Sequence, residues 1–394
     1  MFLALTLAGC SKQDPEPLEL APYDARGPFP VGFRTLEAPA SGDAPALTVK
    51  VWYPAAAGTP AQKIDYALEL KQADWQGIKS PVVHGHAVAD APVQSEYGAR
   101  PVVVFSHGYS LNPEWYAELL EHYASKGFVV LAPEHVEADW LLAGGPTFAR
   151  PRAVTRTLDL AASLAGEGPF AGGINMEKVA VVGHSFGGYT TLAAAGARLD
   201  LAALEERCAA VAPEDPKAFL CAPYQGRAEE LAALAGLDEV PSGLWPAQGD
   251  PRVDAIVPIS GDAHVFSRAG LSSITIPMMA IGGTGDFVTP WDWAAQLAYE
   301  GVSSARKSLL AFVGAGHQIA TDSCENMSFA SHLPDLHREV ICTDPAWDKA
   351  AARRWIRHFS TAFLLDVLTG DAEAKAALAS GAAVPPELVY TATP

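Results

Sequence analysis

The 394-residue sequence predicts an α/β fold, a mostly parallel central sheet with helices on both faces. Three observations carry this. Short apolar, β-branched runs recur at Pro101–Ser106, Phe128–Pro133, Lys178–Val182, Val253–Ile259, Ile276–Ile281 and Ser308–Val313. They are continuous rather than alternating, as expected of strands covered on both faces. Between or after them lie helical patterns at Glu114–Lys126, Arg152–Ala165, Tyr189–Ala195 and Ala350–Leu368, and that alternation argues for parallel strands joined by helices. Finally, several strands run directly into Gly-rich loops carrying Ser, His or Asp, the end at which open α/β sheets place their sites.

Taken in order, residues 1–10 form an apolar run that closes on Leu7-Ala8-Gly9-Cys10 and is similar to the lipobox of bacterial lipoproteins. On that likeness Cys10 is the lipidation site and the chain is exported, either anchored in the cell envelope or secreted. Ser11 in the next position leans towards the outer membrane of a Gram-negative host. Residues 11–30, rich in Pro and charge, read as a flexible tether. Residues 31–394 read as one domain. Gly32–Leu36 and Leu47–Tyr53 alternate as an antiparallel edge pair. Ile64–Gln76 is expected to be a short helix, and the remainder up to Arg100 a long loop in which His84 and His86 are solvated. Residues 199–250 break the strand–helix rhythm and read as a lid-like insertion, too poor in strands to stand alone.

The chemistry centres on Gly183-His184-Ser185-Phe186-Gly187-Gly188, between an apolar strand and a helix. G-x-S-x-G in that context is a nucleophile elbow, whose glycines allow a sharp turn under the serine. A serine hydroxyl needs a base to take its proton and a carboxylate to orient that base. His317, in the loop after the last apolar run, suits the base role. The acid is Asp286, in Gly-Thr-Gly-Asp-Phe-Val-Thr-Pro, or Asp262, after the preceding strand; Asp286 is placed ahead. The order Ser, Asp, His is that of the α/β-hydrolase triad. Backbone N–H groups of Phe186 and of Tyr109, in Phe-Ser-His-Gly-Tyr, are the expected oxyanion donors.

Phe105–Ser110, Gly183–Ala197, Gly283–Pro290 and the final Gly316-His317 resemble the bacterial branch of the platelet-activating-factor acetylhydrolase and dienelactone-hydrolase-like families, as do Arg26–Gly32 and Val51–Pro54. The resemblance implies an α/β-hydrolase fold and a calcium-independent serine esterase acting on short or truncated acyl esters, without a cofactor. Dienelactone hydrolases use a cysteine nucleophile where this chain has Ser185. Animal acetylhydrolases place their acid at the Asp262 position, and cutinase-like polyester hydrolases resemble the Asp286 arrangement.

Composition narrows the partners. A net charge of −18 gives no electrostatic reason to bind nucleic acid or anionic membranes. No run of eighteen apolar residues offers a membrane-spanning helix, so Cys10 is the expected membrane attachment. Beyond it, Cys208, Cys221, Cys324 and Cys342 allow three pairings, of which the local one, Cys208–Cys221 with Cys324–Cys342, is preferred. No C-x-x-C occurs, and no metal is expected. The expected partner of this monomer is a small-molecule or lipid ester. Trp291 and Trp293 either line an acyl pocket with Tyr109 and Phe186 or belong to the core. A thioesterase or peptidase on the same triad, and a non-catalytic surface binding lipoprotein, are the rival readings.

Overall fold

The computed structural model describes residues 23–393 apart from 43, 61, 76, 95, 97, 138 and 380–383. Cys10 and the first part of the expected tether lie outside those residues.

The chain opens with β1 (Val31–Ala38) and β2 (Leu47–Pro54), then a hairpin of β3 (Ile64–Ala67) and β4 (Val82–Gly85), the short β5 (Val88–Ala89) and β6 (Arg100–Ser106). Next come α1 (Ala117–Ser125), β7 (Val129–Pro133), α2 (Gly144–Gly166), β8 (Ile174–His184) and α3 (Phe186–Ala194). The insertion is helical, with α4 (Leu201–Ala209), α5 (Ala218–Cys221) and α6 (Ala228–Ala235). β9 (Ala255–Ile259), α7 (Arg268–Leu271), β10 (Met278–Gly283), α8 (Ala295–Gly301) and β11 (Lys307–Phe312) rebuild the alternation. The chain closes with α9 (Asp335–Cys342), α10 (Lys349–Thr369), α11 (Ala372–Ala377) and β12 (Leu388–Ala392).

The main sheet has ten strands in the order β12-β11-β10-β9-β8-β6-β7-β2-β1-β5. From β7 to β11 every neighbouring pair is parallel, while β12 and the β1–β2 pair run antiparallel at the two sides. Strand periodicity sorts side chains between two cores. Val102, Val104, Val179 and Val181 face a cluster with Phe148, Leu158 and Leu192 of α2 and α3. Val103, Phe105, Ala180 and Val182 face the other, with Leu120, Tyr123 and Phe359 of α1 and α10. Both faces of each central strand are therefore removed from water, which is why these runs are continuously apolar.

Four expectations need correction. Ile64–Ala67 is a strand and not the start of a helix: Tyr66 is buried, and its hydroxyl meets Trp52 Nε1 at 2.9 Å and Glu121 at 2.8 Å. His84 consequently lies on β4 rather than in a loop, 2.7 Å from Asp65. Helix α2 begins eight residues before Arg152 and runs through Pro151, because tertiary contacts of Phe148 and Arg150 hold its first turns against the proline's lost hydrogen bond. The described end of the tether is docked: Tyr23 is buried, Gly27 N–H donates to Ser125 Oγ and Asp24 pairs with Arg357. Strand β12 was not foreseen; it is short and mostly exposed, so its apolar signal is weak.

Both local cysteine pairs are bonded, Cys208 to Cys221 and Cys324 to Cys342.

Candidate active site

Ser185 caps α3 with φ +58° and ψ −124°, a conformation that a non-glycine residue adopts only under constraint. The glycines around it supply the constraint. A Cβ on Gly183 would lie 2.2 Å from the carbonyl oxygen of Gly187, and one on Gly187 would lie 1.9 Å from that of Ser106. Strand, turn and helix pack at backbone contact, and only glycine fits at both places.

Around this serine the ends of β6, β8, β9, β10 and β11 converge. Ser185 Oγ is 2.8 Å from His317 Nε2, and His317 Nδ1 is 2.7 Å from Asp286 Oδ2. All three are buried. The carboxylate is fixed from its other side: Oδ1 accepts the N–H groups of Val288 and Thr289, both at 2.8 Å, and the Thr289 hydroxyl donates to Oδ2 at 2.7 Å. Burial alone would raise the Asp286 pKa, but the His317 charge, the His317 hydrogen bond and the Thr289 donors hold it below the usual value. Burial would likewise lower His317; the charge and hydrogen bond of Asp286, joined by the charge of Asp262, raise it above 6.5 instead. A hydroxyl beside a basic imidazole whose other nitrogen is held by a carboxylate is an array suited to proton removal from the hydroxyl.

Asp262 is nearby but outside that chain of contacts. Its N–H donates to Ser185 O at 3.2 Å, and its side chain lies 3.6 Å from His264 Nδ1. Tyr109 and Phe186 meet ring to ring, with centroids 5.5 Å apart, beside Ser185. Trp291 and Trp293 are core residues: Trp293 is buried and stacks on His264, and Trp291 packs against the same cluster.

Several supporting residues had no motif to announce them. His184 is buried; its Nδ1 accepts from the Tyr116 hydroxyl at 2.8 Å and its Nε2 donates to the carbonyl of His317 at 2.9 Å. Burial and the neighbouring His317 charge push its pKa down to about 3, so it stays neutral. Tyr116 in turn accepts the N–H of Gly108 at 3.2 Å. One relay thus links the Tyr109 loop, the elbow and the His317 loop. Arg150, fully buried on α2, pairs with Glu137 and donates to the His107 carbonyl at 2.6 Å. His184 was legible only as the variable position of the elbow, and Arg150 only as a charge beside a proline.

A cavity of about 570 Å³ opens over Ser185 and His317. Its walls are largely apolar: Trp75, Leu111, Trp115 and Trp140, Phe219 and Leu220 from α5, and Leu336, Val340 and Ile341 from α9. Among the described residues no cluster of three or more His, Cys, Asp or Glu is arranged to hold a metal.

The elbow at the centre of a mostly parallel sheet, with acid and histidine after the later strands, decides the architecture. The fold is that of the α/β-hydrolases. Two family models match the chain, chlorophyllase over residues 89–221 and platelet-activating factor acetylhydrolase, isoform II, over residues 24–140. Chlorophyllase-2 of Arabidopsis thaliana is 35% identical over 101 residues, 25% of this chain and 30% of its own length. Chlorophyllase-1, chloroplastic, of Citrus unshiu is 35% identical over 107 residues, again 25% of this chain and 30% of its own. The chain thus spans about three-tenths of the length of the curated relatives it matches. The acetylhydrolase likeness agrees with the motifs; the chlorophyllase likeness was not legible in them. The matched segments include the Tyr109 loop and the elbow but neither Asp286 nor His317.

Proposed function

We propose that this protein is a serine carboxylic-ester hydrolase working through an acyl-enzyme. The observation that carries the proposal is the unbroken line from Ser185 Oγ to His317 to Asp286 at a strained elbow. In this reading Ser185 Oγ attacks the ester carbonyl carbon while His317 Nε2 takes its proton. Asp286 holds the Nδ1–H tautomer and stabilises the imidazolium. The oxyanion is received by the N–H groups of Phe186 and Tyr109, set by the elbow and by the loop that Arg150 and Tyr116 brace. His317 returns the proton to the departing alkoxide, and water then cleaves the acyl-serine by the same steps in reverse order.

The apolar cavity supports an ester with a sizeable apolar part, such as a lipid-like ester or, by analogy with the proteins named chlorophyllase, a large hydrophobic ring system. Two disulfides suit an oxidising compartment, which supports export, with Cys10 as the lipid-bearing residue. Metabolic labelling with a radioactive fatty acid should mark the wild type and not Cys10→Ala.

The test of the activity is covalent. A fluorophosphonate probe should label the protein at Ser185, and Ser185→Ala should lose both labelling and hydrolysis of 4-nitrophenyl acetate. Ester hydrolysis that survives in that variant refutes the assignment.

A further inference from the structure

The catalytic array leaves one charged side chain at the cavity unused. Asp262 borders the cavity beside Ser185 and His317 and is 3% exposed. Its Oδ1 has no hydrogen-bond partner among the described residues. Among the described residues, the basic nitrogen within 4 Å of it is His264 Nδ1, at 3.6 Å. That ring is already oriented: its Nε2 donates to the carbonyl of Leu220 at 3.2 Å, so in the neutral ring Nδ1 presents a lone pair to the carboxylate. Among the described residues Nδ1 too has no hydrogen-bond partner. A buried carboxylate so poorly compensated is costly to keep for structure alone.

The rest of the wall deepens the negative field. Among the described residues no lysine or arginine lines the cavity, and Asp262 is its one carboxylate outside the triad. Trp75, Trp115, Trp140, Tyr109 and Phe219 contribute aromatic rings, whose faces attract cations and repel anions. With cavity walls of low dielectric, a single unscreened carboxylate discriminates strongly between ligands of opposite charge.

We propose that Asp262 makes this cavity a charge filter, admitting esters that are cationic or uncharged near the scissile bond and turning away anionic ones. The inference rests on the ester-hydrolase reading and names the substrate class of that same site. It assigns Asp262 a role in specificity, separate from the triad.

The test uses the purified full chain and three thioacetates with one acyl group. These are acetylthiocholine, its uncharged isostere S-(3,3-dimethylbutyl) thioacetate, and anionic S-(2-carboxyethyl) thioacetate, each followed by thiol release. The wild type should show kcat/KM at least about tenfold higher for the cation than for the anion, with the isostere between. Asp262→Asn should bring the cation-to-anion ratio close to one. Equal rates in the wild type, or an unchanged ratio in the variant, overturn the proposal. If the variant fails to fold, calorimetry on the wild type decides: tetraethylammonium should bind at least about tenfold tighter than pivalate, and the reverse order overturns the filter. Probe labelling and hydrolysis separate the two failures. Absence of hydrolysis and of Ser185 labelling refutes the hydrolase reading, whereas labelled, active protein without charge preference refutes only the filter.

Discussion

Replacing Asp286 by Asn tests the catalytic arrangement at its most defined point. The two N–H groups of Val288 and Thr289 that now bind Oδ1 would hold the carboxamide oxygen in the same place. That choice puts the NH2 where Oδ2 stood, 2.7 Å from His317 Nδ1. The Thr289 hydroxyl can rotate to accept from it, so the site tolerates the change. His317 must then accept at Nδ1 and carry its proton on Nε2, facing Ser185 Oγ, where it cannot act as a base. The expected loss is about 10⁴-fold in kcat, as when the equivalent aspartate of a serine protease is replaced, or about 5 kcal/mol of transition-state stabilisation. Steady-state hydrolysis of 4-nitrophenyl acetate measures it, with a thermal melt to verify folding. Asp262→Asn, which breaks no contact with His317, should cost at least a hundredfold less on this uncharged ester. A folded Asp286→Asn protein retaining more than about a hundredth of wild-type kcat, or a greater loss in Asp262→Asn, would refute the assignment of the acid.

Because His317 must be neutral to act and its pKa is raised, kcat/KM should fall on acidification with a midpoint above 6.5; a midpoint below 6.5 in a pH–rate profile contradicts the geometry. His184→Phe should remove the tie between the His317 and Gly108 loops and leave the Tyr116 hydroxyl and the His317 carbonyl without their partner. A kcat/KM loss of about 10- to 100-fold follows if the base is displaced by a fraction of an ångström, and unchanged kinetics would show the relay to be idle. Stability should fall below pH 6.5. His184 and His122 titrate near 3 and His358 near 4 when folded, so the unfolded chain binds protons first. Each contributes stability that is complete above 6.5 and lost at about 1 kcal/mol per pH unit towards its folded pKa; denaturant midpoints at pH 7.5 and 5.5 measure the sum.

What the sequence disclosed follows from where each constraint is written. Buried parallel strands are apolar on both faces, so β6 to β11 were legible from local composition. The elbow was legible because its glycines answer to backbone contacts with Gly187 and Ser106, a steric demand that no other residue meets. Ser185, Asp286 and His317 were legible as candidates, since strand-end loops are few; between Asp262 and Asp286 the sequence supports only a preference, and it is Asp286 that lies in contact with His317. What stayed hidden depends on partners distant in sequence. Ile64–Ala67 becomes a strand because Tyr66 finds Glu121 and Trp52, and Pro151 is tolerated because Arg150 reaches Glu137 and the His107 carbonyl. No local pattern encodes either.

The site is built from two kinds of parts with different freedom to vary. The proposed catalytic residues stand on strand ends, and the elbow is held by backbone contacts, so changes there meet steric limits at once. Part of the cavity wall comes from α5 and α9, helices of four and eight residues that belong to neither the sheet nor its main helical cover. Helices so short are not stable by themselves. Each carries a cysteine at its C-terminal end, Cys221 and Cys342, bonded to Cys208 on α4 and to Cys324 in the segment after His317. The disulfides therefore fasten those parts of the pocket that the sheet does not hold. Leu220 and Ile341 still anchor these helices in the two cores, whereas Phe219 and Leu336 are exposed at the cavity rim. In the proposed reading the chemistry is fixed by the scaffold, whereas the range of esters admitted depends on the cavity wall, its two clipped segments included, and on the charge of Asp262.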